Sequence, residues 1–168
     1  MSDVSIDSRE FRSTMGLFAT GVTVVTARVG QQVRGMTANS FTSVSLHPPL
    51  LLICVDRSAS MHPLLEVADA FVVNILAADQ RPVSDAFARR GDHDDAMGGM
   101  PYRAGALGAP ILDGVLAWAE CRVEARHAAG DHTIIVGRVE GLSVERPGVD
   151  PLLFFSGGYR ALGGAIEA

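Results

Sequence analysis

Hydroxyl and amide side chains are concentrated in one short segment of the chain, residues 35–45, with the sequence GMTANSFTSVS. Five hydroxyls and the carboxamide of Asn39 occupy nine consecutive positions between two apolar runs. Such side chains, together with the backbone N–H groups of a loop, can donate hydrogen bonds to a phosphate or to the polar edge of a planar ring. A structural loop rich in Ser and Thr has the same composition, so the residue types leave both alternatives open.

Three other places carry polar groups suited to a ligand. Asn74 interrupts an apolar run, where a buried carboxamide without a partner would cost on the order of a few kcal/mol. Its partner is therefore either a ligand or the neighbouring backbone. Arg89 and Arg90 end a predicted helix, where they can complement a phosphate charge or form a solvated helix end. His132 lies in a predicted turn, and by itself such a histidine is ordinarily a polar loop residue.

The motifs of several functional classes are absent from the sequence. It contains neither the Gly-rich dinucleotide-binding motif nor the P-loop motif, so any bound nucleotide must be held by a different structural motif. The net charge is −5 with no run of Lys or Arg, which argues against nucleic acid as a partner. Cys54 and Cys121 lack the spacing of a metal site, and we expect buried reduced thiols. An acidic N-terminal segment and the lack of a long apolar run predict a cytoplasmic protein without a membrane contact.

The elements that must position these residues are mostly short strands. We expect a first helix capped by Asp7 or Ser8 and ended by Gly21, with Phe11, Met15 and Phe18 on one face, and a second helix over residues 82–90. The predicted strands cover residues 22–27, 33–38, 50–55, 71–76, 117–126, 133–139 and 152–155. Short strands with short connections favour a mostly β chain that forms an antiparallel barrel, and the length of 168 residues fits a single domain over 1–168. The glycine-rich residues 91–110 are expected to form a surface excursion.

Several segments, in this order, resemble the flavin reductase family of FMN-binding split barrels, the reductase components of two-component flavin-dependent monooxygenases. The matching segments are FATGVTVVT (18–26), GMTANSFTSVS (35–45), PPLLL (48–52), FVVNIL (71–76), SDAFA (84–88), GDH (130–132) and residues 152–159. The resemblance implies a six-stranded antiparallel Greek-key split barrel with short flanking helices. It also implies a homodimer that binds flavin in a groove close to the subunit boundary.

The resemblance also assigns roles to individual residues. The flavin ring edge and ribityl chain would contact Thr37, Ala38, Ser40, Thr42 and Ser43. The ribityl and phosphate end would lie along Asp56, Arg57, Ser58 and Ser60. The phosphate-side helix would contribute Ser84, Phe87 and Ala88, with Arg89 or Arg90 facing the phosphate, and Asn74 would lie beside the flavin. His132 and Tyr159 would lie near the nicotinamide.

These roles imply an NAD(P)H-dependent flavin reductase that transfers hydride to FMN or FAD and releases the reduced flavin to a partner monooxygenase. A flavin storage or carrier protein of the same barrel is one alternative. An oxidase that uses bound FMN is another. The sequence distinguishes neither FMN from FAD nor NADH from NADPH.

Overall fold

Antiparallel strands are the main secondary structure in the computed structural model, which describes residues 6–89 and 97–164. The helices are α1 (Ser8–Met15), α2 (His62–Val67) and α3 (Arg81–Phe87). The strands are β1 (Thr20–Gly21), β2 (Thr23–Val29), β3 (Gln32–Ala38), β4 (Phe41–Leu46), β5 (Pro49–Asp56), β6 (Ala70–Ile75), β7 (Tyr102–Ala104), β8 (Pro110–Leu112), β9 (Ala117–Ala129), β10 (His132–Val144), β11 (Leu153–Phe155) and β12 (Gly158–Arg160). The prediction of a mostly β chain with short helices is confirmed.

One curved sheet of seven strands, in the order β3-β2-β6-β9-β10-β5-β4, encloses the main core. Ala38 of β3 and Ile53 of β5 belong to strands that are separated by four others in this order, yet both lie in the same buried cluster with Phe71 of β6. A flat sheet separates neighbouring strands by roughly 4.8 Å, so side chains of β3 and β5 can share one cluster only because the sheet curls on itself. Two small sheets, β1-β11-β12 and β7-β8, complete the described part of the chain. The count therefore differs from the six strands that we expected.

The hydroxyl-rich segment is mostly strand, so the prediction of a loop over residues 35–45 is wrong. β3 runs through Ala38, β4 begins at Phe41, and only Asn39 and Ser40 separate them. β4 pairs with β5 from Phe41 opposite Ile53 onward, and a bulge lies between Ser43 and Ser45. This pairing satisfies backbone groups that an unpaired edge of β5 would leave exposed, which explains why a polar sequence adopts an extended conformation here.

Two tight hairpins confirm the predicted turns and fix the register of the sheet. Gly30 begins the two-residue turn between β2 and β3 at φ of +58°, and Gly130 begins the turn between β9 and β10 at +60°. Glycine adopts this left-handed region without a steric penalty. The second hairpin places His132 at the first position of β10, directly opposite Asp56 at the end of β5.

The helices differ from prediction at their ends. Asp7 caps α1 by accepting hydrogen bonds from the backbone of Arg9 and Glu10, but the helix ends at Met15 with Gly16 as its C-cap instead of reaching Gly21. α2 was not predicted. The last residues of the second predicted helix include Arg90, which lies outside the described residues. Among the described helices, none is long and apolar enough to cross a membrane.

Candidate functional site

A groove of about 390 Å³, here called the main groove, opens on the surface along β3. Its walls come from the end of β3 and the following residues, the end of β5 with the loop after it, the C-terminal end of α3, and the start of β10. Ten of the predicted site residues line it: Thr37, Ala38, Ser40, Asp56, Ser58, Ser60, Phe87, Ala88, Arg89 and His132. The fold therefore brings together residues from four separate segments of the sequence, 95 positions apart at the extremes.

A smaller pocket of about 200 Å³, here called the tyrosine pocket, adjoins the main groove. The two share Thr37, Ala38, Asn39 and Ala88. The other lining residues of the tyrosine pocket are Val22, Ser84, Phe154 and Tyr159. His132 and Tyr159, which we expected beside one nicotinamide, thus line different cavities that meet at the end of β3.

Four other predicted residues of the described chain lie outside both cavities, and three of them are exposed. Thr42 and Ser43 are exposed on β4, and Arg57 is exposed after β5. Alternation along β4 directs the neighbouring Thr42 and Ser43 side chains to opposite faces of the sheet, and neither lines the main groove or the tyrosine pocket. Their contact with flavin remains a prediction that this geometry does not favour.

Asn74 is fully buried in β6, and its carboxamide is completely used by the protein. Nδ2 donates to the carbonyl of Val24 and to Oγ1 of Thr26, both at 3.0 Å, and Oδ1 accepts from the backbone N–H of Leu112 at 2.9 Å. Two donors and one acceptor are thereby satisfied. Of the two alternatives left open by the sequence, the structure shows the backbone partner, so the prediction that Asn74 lies beside the flavin is corrected.

Several lining residues were missed by sequence reasoning: Gly35, Met36, Asn39, Cys54, Ala59 and Met61 in the main groove, and Val22 and Phe154 in the tyrosine pocket. The first three lie in the hydroxyl-rich segment that the sequence singled out. Cys54 could have been predicted as a lining residue from the sequence, because alternation along a strand places its side chain on the same face as that of Asp56. Its burial raises the pKa of the thiol, which disfavours the reactive thiolate.

Hydroxyl groups at the main groove are held in place by bonds within the protein. Thr37 Oγ1 donates to the carbonyl of Ser84 at 2.6 Å, and Ser40 Oγ donates to the carbonyl of Cys54 at 2.7 Å. Ser58 donates through both its backbone N–H (2.7 Å) and its hydroxyl (2.8 Å) to the carboxylate of Asp56. These bonds fix the walls before a ligand arrives and leave the hydroxyl oxygens as acceptors.

His132 is oriented by its neighbour in the turn. Its Nδ1 lies 2.7 Å from Oδ1 of Asp131. The hydrogen bond from His132 holds the pKa of the Asp131 carboxyl below its usual range, so this carboxylate is ionised near neutral pH and can only accept. Nδ1 must then carry the proton, and Nε2 is the ring nitrogen left for a ligand. The side chain is 41% exposed, as a residue at the mouth of a groove must be.

Tyr159 joins the C-terminal hairpin to α3. Its hydroxyl donates to Asp85 Oδ1 at 3.0 Å and therefore accepts from Ser84 Oγ at 2.8 Å. Phe154 contacts the ring edge-on at 5.5 Å between centroids, and the Arg81 guanidinium lies 5.1 Å from the ring centroid. Four contacts of this kind make Tyr159 a rigid wall of the tyrosine pocket.

The lining of the groove offers groups that suit the parts of a flavin mononucleotide. A cavity of this volume is in the range of small-ligand sites. Arg89 supplies a cation for a phosphate, and the β3 backbone with Asn39 supplies hydrogen-bonding groups for a planar ring edge. Among the described residues there is no cluster of side chains that could hold a metal ion.

Comparison with protein families gives one match over most of the chain. The family model described as flavin reductase like domain matches residues 15–163. Three curated relatives agree with it. The FMN reductase (NADH) SmoA of Agrobacterium fabrum is 45% identical over 153 residues, which cover 91% of this chain and 85% of that protein. The reductase subunit HsaB of a flavin-dependent monooxygenase from Mycobacterium tuberculosis is 39% identical and covers 94% and 83% of the two chains.

The third relative, a probable flavin reductase of Rhizobium meliloti, is 44% identical over 96% of this chain. The chain spans only about half of that protein, 52% of its length. Among solved structures, the NADH:FAD oxidoreductase SgcE6 of Streptomyces globisporus in complex with NAD and FAD fragments superposes with a TM-score of 0.87 at 40% identity, covering 96% of both chains. The similarity therefore extends over the whole sheet and both cavities.

Proposed function

Because the chain belongs to the flavin reductase like domain family, we propose that it is an NAD(P)H-dependent flavin reductase that takes FMN or FAD as a substrate. The observation that carries this function is that the tyrosine pocket adjoins the main groove, since hydride transfer requires two planar rings to lie side by side in direct contact. Similarity to a monooxygenase reductase subunit supports a partner monooxygenase that receives the reduced flavin.

A flavin bound here would supply the redox chemistry by taking up hydride from the reduced nicotinamide. The protein residues hold the two ligands. Arg89 offers charge to the flavin phosphate, and the segment Thr37 to Asn39 contacts whatever occupies either cavity. His132 lines the groove, and the hydrogen bond between its Nδ1 and Asp131 leaves Nε2 available to a ligand. Holding the rings at close range lowers the barrier without a protein acid or nucleophile.

A steady-state assay tests this function directly. NADH and NADPH consumption is followed with FMN, FAD and riboflavin as acceptors, and matched reactions without flavin serve as controls. We expect rapid consumption that requires added flavin, with reduced flavin accumulating when oxygen is excluded. Retention of stoichiometric flavin through dialysis, together with failure to reduce added flavin, would instead indicate a storage or carrier protein. Flavin reduction by an amine but not by NAD(P)H would indicate an oxidase.

Substitution His132→Ala is expected to slow flavin reduction about tenfold at sub-saturating NAD(P)H, equivalent to about 1.4 kcal/mol of transition-state stabilisation. The reason is that the imidazole, held by Asp131 at the main groove, is proposed to orient the nicotinamide where it stacks on the flavin, without holding the flavin itself. Stopped-flow reduction of the preformed protein–flavin complex measures this rate. His127→Ala, at an exposed position on β9 outside both cavities, is the control and should react at the wild-type rate. An unchanged rate in folded His132→Ala would remove His132 from the site.

We further propose that the protein is a homodimer in which α1 and the residues after it contact the second copy. None of the residues of α1 is buried, and four apolar side chains here are 53–77% exposed: Phe11, Met15, Leu17 and Phe18. An apolar patch of this kind marks an interface.

Light scattering tests this interface. The native chain should be a dimer and the Phe18→Asp variant a monomer. The control variant Val149→Asp, at a position outside this patch where the side chain is 36% exposed, should remain a dimer. A fully active monomeric native protein would rule this interface out.

A further inference from the structure

A separate cavity of about 190 Å³, here called the Arg28 pocket, has no role in the function proposed above. It shares no lining residue with the main groove or with the tyrosine pocket. Three segments form it: the end of β2 with the turn that follows, the link between α2 and β6, and the loop between β7 and β8.

Two opposite charges line the Arg28 pocket without pairing with each other. Arg28 is partly buried, and its Nε donates to the carbonyl of Gly108 at 3.1 Å. Within the part of the chain that the structure describes, its two Nη groups have no partner, and the carboxylate of Asp69 accepts no hydrogen bond. The Arg122 guanidinium attracts Asp69 from a distance but is itself paired with Glu140 at 2.8 Å. The pocket therefore offers one cation and one anion to a ligand.

Hydrogen bonds to the rest of the protein hold the walls of the pocket in place. The Leu107 N–H donates to Oε1 of the buried Glu120 at 2.9 Å. Gly105 packs so closely on this carboxylate that a Cβ at position 105 would clash with Oε1. On the opposite wall, the carbonyl of Asp69 accepts from the Val123 N–H at 2.9 Å. Both walls are therefore formed before a ligand arrives, as is usual for small-molecule sites.

The remaining side chains of the lining are short and apolar. Val29, Val67, Ala70, Leu107 and Ala109 supply them, and Val67 is 65% exposed, so an apolar group that covers it leaves water. At about 20–30 Å³ for each non-hydrogen atom, the cavity holds a molecule of roughly six to nine such atoms. An aliphatic α-amino acid has this size and carries a carboxylate, an ammonium group and an apolar side chain.

We propose that the Arg28 pocket binds a small aliphatic α-amino acid as a zwitterion. The ligand carboxylate accepts hydrogen bonds from the two Nη groups of Arg28, the bidentate arrangement that a guanidinium favours. The ammonium group pairs with Asp69, and the side chain covers Val67 and Leu107. This site requires no flavin and does not depend on the proposed function.

Calorimetric titration of the native chain with L-leucine, in the absence of flavin, tests the assignment. We expect one site per chain with a Kd of about 1 mM or tighter, accompanied by a rise in Tm. Two analogues keep the leucine side chain and lose one charge each. Isoamylamine lacks the carboxylate and 4-methylpentanoate lacks the ammonium group, and each should bind at least about tenfold more weakly.

Arg28→Gln and Asp69→Asn should each weaken L-leucine binding at least about tenfold. The matched controls Arg138→Gln and Asp150→Asn, which remove the same charges outside the pocket, should bind L-leucine as the native chain does. Arg28→Gln also removes the bond to the Gly108 carbonyl, so thermal unfolding first establishes that the variant is folded. Asp69→Asn removes no hydrogen bond of the side chain and keeps the test independent of stability.

Several results would overturn the inference. One is the absence of saturable binding of L-leucine, L-valine and L-alanine up to about 50 mM, on the order of fifty times the expected Kd. Another is equal affinity of the native chain and folded Asp69→Asn for L-leucine. Equal affinity for L-leucine and for either one-charge analogue would also contradict it. None of these results bears on flavin reduction, which NADH consumption with added flavin tests separately.

Discussion

Substitution Gly35→Ala is expected to weaken flavin binding more than tenfold and to lower the free energy of unfolding by about 1–3 kcal/mol. A Cβ at this position would lie 2.5 Å from Cε1 and 2.8 Å from Cδ1 of the Phe87 ring. Phe87 is only 6% exposed and packs in a buried cluster with Val83 and Leu76, so its ring cannot swing freely. The added methyl must therefore shift α3, which carries Arg89 at its end, and with it one wall of the main groove.

Gly137→Ala is the matched control for this substitution. Its Cβ would lie 2.6 Å from Cζ of Phe71 and 2.8 Å from Cβ of Cys121, inside the core and outside the main groove. Thermal unfolding and flavin titration of both variants should show a similar loss of stability, with weakened flavin binding only for Gly35→Ala. If folded Gly35→Ala bound flavin as the native chain does, the position of the flavin along β3 would be refuted.

Substitution Asn74→Leu is expected to lower the free energy of unfolding by about 3 kcal/mol or more, which corresponds to a fall in Tm of roughly 6–12 °C. Leucine removes hydrogen bonds to three buried groups, the Val24 carbonyl, the Thr26 hydroxyl and the Leu112 N–H. The Leu112 N–H donates to Asn74 Oδ1 at 2.9 Å and would lose this buried acceptor.

The only other asparagine, Asn39, is exposed and provides the control for stability. Asn39→Leu should change the free energy of unfolding by about 0.5 kcal/mol or less. At a temperature where Asn74→Leu is folded, its flavin Kd should stay within about threefold of the native value. A native Tm combined with a large loss of flavin affinity would contradict the structural role and restore Asn74 to the binding site.

Local patterns predicted the parts of the fold that depend on neighbouring residues. Strict alternation in residues 117–126 predicted β9, and glycine at the turn positions predicted both tight hairpins. The hydroxyl-rich segment also led to the right region of the site. The roles of its residues came from the resemblance to the flavin reductases and not from composition, because a Ser- or Thr-rich stretch fits a structural loop equally well.

The parts that the sequence did not predict depend on contacts between distant segments. β4 is a strand because β5 pairs with it. Residues 41–46 lack the alternation of apolar and polar side chains that would have predicted a strand from the sequence. The partners of Asn74 come from β2 and from Leu112, 38 positions away. α2 spans only six residues, too short for a helical period to be recognised, and it depends on burial of Leu64 and Leu65.

The wall formed by Thr37, Ala38 and Asn39 belongs to both the main groove and the tyrosine pocket. A ligand that shifts this wall from one side changes the free energy of binding on the other side. Thermodynamic linkage makes that effect mutual: the factor by which oxidised flavin changes the nicotinamide affinity equals the factor by which nicotinamide changes the flavin affinity. In the proposed reaction, hydride transfer would replace both ligands by their products at the same moment, and the affinities on both sides of this wall would then change together.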